Sequence, residues 1–93
     1  MNTSEFRHRA LKRLYEYGDA SKLPPQAWNR IENILARLDA VESPQGMDLP
    51  GYRLHRLSGD LRSFWSVRIS GNYRIIFRFE DGAVYDVELL DYH

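Results

Sequence analysis

The chain has 93 residues, a hydrophobic fraction of 43% and no cysteine. That leaves room for one domain burying about 60 to 65% of its unfolded surface, and it excludes a disulfide framework or a thiolate metal site. The formal net charge is +0, but residues 49–79 carry six arginines and one acid whereas residues 80–93 carry five acids and no base, so a local positive surface is possible where the total is neutral.

Six Tyr, four Phe and two Trp supply enough apolar surface for a core and argue against disorder. Glu5, Arg7, Arg9, Lys12 and Arg13 leave no apolar stretch for a signal peptide, and no later run approaches membrane-spanning length. The expectation is one cytoplasmic domain over residues 1–93, without repeats or low-complexity segments.

The first half reads as helix. Phe6, Leu11, Leu14 and Tyr15 fall near one face, and Gly18 stands where a helix C-terminal glycine belongs. After Leu23-Pro24-Pro25, the residues Ala27/Trp28, Ile31, Ile34/Leu35 and Leu38 recur at spacings of three and four, which predicts a second amphipathic helix. Ser43-Pro44-Gln45-Gly46 ends it, and Pro50-Gly51 marks a turn. Trp28 and Trp65 fall on apolar faces and are expected in the core.

From there the period changes to two. Strands are predicted over residues 52–57, 64–69, 73–79 and 83–90. If Ser70-Gly71-Asn72 is a three-residue loop, Ile69 pairs with Tyr73, Val67 with Ile75 and Trp65 with Phe77. Treating Glu80-Asp81-Gly82 the same way pairs Phe77 with Tyr85 and Ile75 with Val87. One face is then apolar and must be covered by the helices. The other carries Arg68 opposite Arg74, and Arg74 opposite Glu88.

Like charges facing each other across a ladder cost stability, so the Arg68–Arg74 pair suits an anion; pairing with Glu88 is the structural alternative. His55 can share that face with Arg68 and Arg74, although a lone strand histidine is more commonly a surface or packing residue. The terminal Asp91-Tyr92-His93 offers an acid, an aromatic able to stack on an unpaired base and a second imidazole, or else simply a solvated end. A phosphodiester cut by an internal 2′-hydroxyl needs a proton acceptor, a proton donor for the leaving 5′-oxygen and cations around the phosphorane. Histidine, tyrosine and arginine supply all three without a metal. His8, His55 and His93 are far apart and show no metal-ligand spacing, and the chain lacks a glycine-rich phosphate loop and a G-x-S-x-G elbow. Neither a metal nor a cofactor is expected.

The segments Tyr52-Arg53-Leu54-His55-Arg56-Leu57-Ser58-Gly59-Asp60, Phe64-Trp65-Ser66-Val67-Arg68 and Gly71-Asn72-Tyr73-Arg74-Ile75-Ile76-Phe77, with the closing Asp91-Tyr92-His93, resemble in order and spacing the HigB family of host-inhibition toxins. These belong to the RelE/ParE superfamily of bacterial type II toxin-antitoxin systems. The helical half matches in length and in its Leu23-Pro24 helix start.

The resemblance implies an α+β, RelE-like fold, with two N-terminal helices packed on one face of a mainly antiparallel, twisted β-sheet. It also implies ribosome-dependent endoribonuclease cleavage of messenger RNA and a HigA-type helix-turn-helix antitoxin, through which alone operator DNA is bound. By position, the family's catalytic residues fall on His55, Arg74, Asp91, Tyr92 and His93. Arg53, Arg56, Ser58, Arg68 and Arg78 are expected to bind RNA or phosphate. Ser58 departs from members that have lysine there, and Arg56, in place of a proline common in the family, either restores that charge or is a solvated side chain. A non-catalytic ParE-like toxin acting on a protein such as DNA gyrase, or an inactive relative that only binds antitoxin, are the alternative readings.

Overall fold

The computed structural model describes residues 6–91. Helix α1 spans Arg9–Tyr17 and helix α2 spans Trp28–Ala40. His8 caps α1, its Nδ1 accepting from the Leu11 N–H at 3.4 Å. At the other end Gly18, at φ 72°, returns its N–H to the Leu14 carbonyl at 2.8 Å, satisfying carbonyls that the helix leaves open.

Phe6 does not join α1 as its spacing suggests. It precedes the cap, runs extended and forms a parallel bridge with Val87, while the Arg7 N–H donates to the Val87 carbonyl at 2.8 Å. Its ring still meets Tyr15, with centroids 5.0 Å apart. Trp28 is a second correction. It opens α2 at 37% exposure, its indole N–H donating to the Leu23 carbonyl at 2.9 Å. At the first turn the apolar stripe has only just begun, and a large ring there hangs over the edge of the core. Trp65 is half-buried against the core.

Strands β1 (His55–Arg56), β2 (Phe64–Ser70), β3 (Tyr73–Glu80) and β4 (Ala83–Asp91) form an antiparallel sheet in sequence order. The first is far shorter than the six residues expected, because left-handed Arg53 (φ 51°) breaks the extended run just before His55. The helices cover the face bearing Val67, Ile69, Ile75, Phe77, Val84 and Val87, which pack with Leu11, Ile31, Ile34, Leu38 and Met47. Phe77 is fully buried at the centre. Phe77→Ala is expected to cost about 3 to 5 kcal/mol, a large part of the roughly 5 to 15 kcal/mol that holds such a domain folded. The midpoint of urea unfolding measures it.

Both hairpins close with two residues, not three. In the first, Ser70 pairs with Tyr73, and Ile69 is an extra residue bulged into β2. That bulge restores the expected pairs Val67–Ile75, Trp65–Phe77 and Arg68–Arg74, and only Ile69–Tyr73 is lost.

The second hairpin moves further from expectation. Asp81 (φ 51°) and Gly82 (φ 79°) form the turn between Glu80 and Ala83, since two successive positive φ angles match the twist of the strands. Arg78 therefore pairs with Tyr85. Asp86, at φ 52°, then bulges opposite Phe77, so that Ile75 pairs with Leu89, Ile76 with Glu88 and Arg74 with Leu90. The expected Phe77–Tyr85, Ile75–Val87 and Arg74–Glu88 pairs do not form. The Asp86 carboxylate is gripped by Arg78 (Nε to Oδ2, 2.7 Å) and Arg7 (Nε to Oδ1, 3.3 Å). Those contacts favour the charged Arg78 and raise its pKa, the hydrogen bond to Asp86 foremost.

Candidate active site on the open face

Side chains alternate along a strand, so the face away from the helices carries three cross-strand rows. The central row is His55, Ser66, Ile76 and Glu88; on one side lie Arg68, Arg74 and Leu90, and on the other Phe64, Arg78 and Tyr85. Phe64, Ser66 and Ile76 are buried. The cations therefore stand around a poorly solvated floor, where their attraction for an anion is stronger than in bulk water. The Ser66 hydroxyl, fully buried, has no hydrogen-bond partner among the described residues.

Arg53, Leu54, His55 and Arg74 line a hollow of about 380 Å³ at the β1 edge. Its histidine is oriented: Nδ1 lies 3.0 Å from the Arg53 carbonyl. A carbonyl only accepts, so Nδ1 carries the hydrogen in the neutral ring and Nε2 keeps a lone pair for another group. Arg53 itself sits at φ 51°, a left-handed conformation that costs a residue with a side chain about 1 to 2 kcal/mol.

The segment bearing Arg53 is gripped from two sides. The Arg68 N–H donates to the Tyr52 carbonyl at 2.6 Å. From α2, Arg30 donates to the Gly51 carbonyl through Nη2 at 2.7 Å, reaches the Arg68 carbonyl through Nε at 3.4 Å, and lies over the Tyr52 ring with Cζ 4.3 Å from its centroid. None of this is visible in the sequence, because residues 30, 51 and 68 are far apart along the chain.

The other predicted residues are more dispersed. Arg68 and Arg74 are half-buried and directly opposite each other. Arg56 points to the helix side, its guanidinium 5.2 Å from the Trp65 ring centroid and its Nε donating to the Arg62 carbonyl at 3.1 Å. Ser58 is exposed at the start of the Gly59–Leu61 turn, outside the hollow. Arg78 is engaged with Asp86 and, through Nη1 at 2.5 Å, with Glu80. Asp91 ends β4 opposite Tyr73, one residue beyond the partner of Arg74. Tyr92 and His93 lie outside the described residues.

Residues 4–93 match the family model for the RelE-like toxin of the type II toxin-antitoxin system HigB. The chain belongs to the HigB family of RelE-like toxins. The two helices over a four-stranded antiparallel sheet are consistent with that fold. Among HigB relatives, the Endoribonuclease HigB of Proteus vulgaris is 36% identical over 88 residues, covering 95% of this chain and 96% of that protein. The Toxin HigB-1 of Vibrio cholerae is 33% identical over 90 residues, covering 91% and 92%. An uncharacterised protein of Haemophilus influenzae is 30% identical over 95 residues, covering 96% and 90%. Membership in the HigB family implies an antitoxin partner. No helix among the described residues is long and apolar enough to cross a membrane.

Proposed function

We propose that this HigB-family toxin is a ribosome-dependent endoribonuclease that cuts messenger RNA in the cytoplasm and is neutralised by a HigA-type antitoxin. The observation that carries the reading is the hollow in which an oriented imidazole, with Nε2 available, shares its walls with two arginines. A relative named as an endoribonuclease supports it.

In this mechanism the 2′-hydroxyl of the nucleotide before the cut gives its proton to His55 Nε2 as its oxygen attacks phosphorus. Arg74 and Arg68, with Arg53 at the rim, stabilise the charge that grows on the non-bridging oxygens. The 5′-oxygen leaves with a proton from the C-terminal group, where His93 is the donor and Tyr92 holds the RNA, whereas Asp91, opposite Tyr73, alternates to the other side of β4 from the partner of Arg74. The products are a 2′,3′-cyclic phosphate and a free 5′-hydroxyl, so protons and bonds balance without a metal. Arg56 and Ser58 meet flanking nucleotides at the β1 edge, while Arg78, already held by Asp86 and Glu80, serves the bulge.

Induction in a bacterium followed by mapping of new 5′-hydroxyl ends tests this directly. Cuts are expected inside translated regions and should vanish from a message whose start codon is removed. Growth arrest with intact transcripts would instead direct attention to a protein target.

A further inference from the structure

We infer that Arg30, on the helical side of the molecule, is a positioning residue for His55. The inference rests on the reading of His55 as proton acceptor. Strand β1 is only two residues long and is tied to the sheet by the pairs His55–Ser66 and Arg56–Trp65. So short a ladder constrains the preceding backbone weakly, yet that backbone contains two left-handed residues, Gly51 at φ 84° and Arg53 at φ 51°. Strained residues of this kind persist where their surroundings over-determine them. Here the surroundings are the Arg30 guanidinium, which bonds the Gly51 carbonyl, covers the Tyr52 ring and touches the same β2 residue, Arg68, whose N–H holds Tyr52.

The planar guanidinium suits that task because it stacks and donates in two directions at once. Gly51 is matched to it. A Cβ added there would come within 3.1 Å of Arg30 Nη2. What the clamp holds is the path into Arg53, whose carbonyl sets the His55 tautomer and whose side chain lines the hollow. Arg30 thus links the helical layer to the proton-transfer atom without touching substrate.

Two variants test it. Arg30→Met keeps a stem over Tyr52 but removes both donors. Its kcat for cleavage of a translated message is expected to fall on the order of tenfold or more, since small displacements of a reacting group are costly. KM should hold because Arg68 and Arg74 remain. The ¹⁵N spectrum of its histidines should show His55 shifting from the Nδ1–H tautomer towards a mixture, and Arg30→Lys, which restores a donor, should recover part of both. Gly51→Ala, which crowds the clamp and also strains a turn residue at φ 84°, should act in the same direction.

If Arg30→Met, or Gly51→Ala should the first not fold, retains the wild-type kcat and His55 spectrum and changes only the melting temperature, the inference is overturned. Failure of the functional reading looks different: His55→Gln would cut as fast as wild type, while the tautomer spectra would still decide the role of Arg30.

Discussion

Arg74→Ala is expected to abolish growth inhibition and to slow RNA cleavage by about 10²- to 10³-fold, the range found when one preorganised donor to developing charge is removed. Arg74 lines the hollow with His55 and stands directly across β2 from Arg68. Like charges directly opposite each other across a ladder do not stabilise it, so removing one should change folding stability by no more than about 1 kcal/mol. Loss of cleavage with an unchanged urea midpoint is therefore the expected pair of results. Cleavage at the wild-type rate would count against the site, and a collapsed fold would make Arg74 a structural residue.

The second large effect is expected at His55. His55→Gln keeps a polar side chain of similar reach but cannot exchange a proton, so a loss of about 10²- to 10⁴-fold in cleavage is expected if the imidazole is a general base. Binding should suffer less, because the arginines are untouched. Single-turnover cleavage, paired with binding of a non-cleavable RNA carrying a 2′-deoxy nucleotide at the cut, separates the two. His55 is exposed and, among the described residues, its ring bonds only the neighbouring Arg53 carbonyl, so the substitution should leave the core intact.

The two effects differ in kind. Arg74 acts on charge that appears only as the phosphorane forms, whereas His55 acts on a proton that must leave before or during attack. A variant lacking both should lose less than the product of the two losses, since groups serving one transition state are not independent.

Much of the architecture was legible along the chain because it depends on period and punctuation. Ile31, Ile34, Leu35 and Leu38 repeat at helical spacing and are buried, and Gly18 ends α1 as its position suggests. Val67, Ile75 and Phe77 alternate onto the covered face. His55, Arg68 and Arg74 were also legible as a group, since alternation along each strand, combined with the expected pairing, brings them to one side.

What failed was counting through irregularities. A bulge adds one residue to one strand; the residue type at Ile69 does not distinguish an extra residue from a paired one, and an aspartate such as Asp86, though tolerant of positive φ, does not by itself mark the bulge. The Ile69 bulge happened to compensate for a shorter turn, so the Arg68–Arg74 pair survived. The shorter turn and the Asp86 bulge each shifted the far end of β4 by one residue, so that Glu88 came to face Ile76 and Arg74 came to face Leu90.

By itself, then, the sequence determined the family, the layer of helices over strands and the gathering of His55, Arg68 and Arg74 on the open face. All of these follow from local spacing and from the order of side chains along the chain. Only the tertiary structure decided the register of β4, the separation of Arg56 and Arg78 from the hollow, and the clamp of Arg30 on Gly51 and Tyr52. Those depend on which distant backbone groups come within hydrogen-bond reach, and a contact between residues 30 and 51 leaves no mark on the pattern around either one.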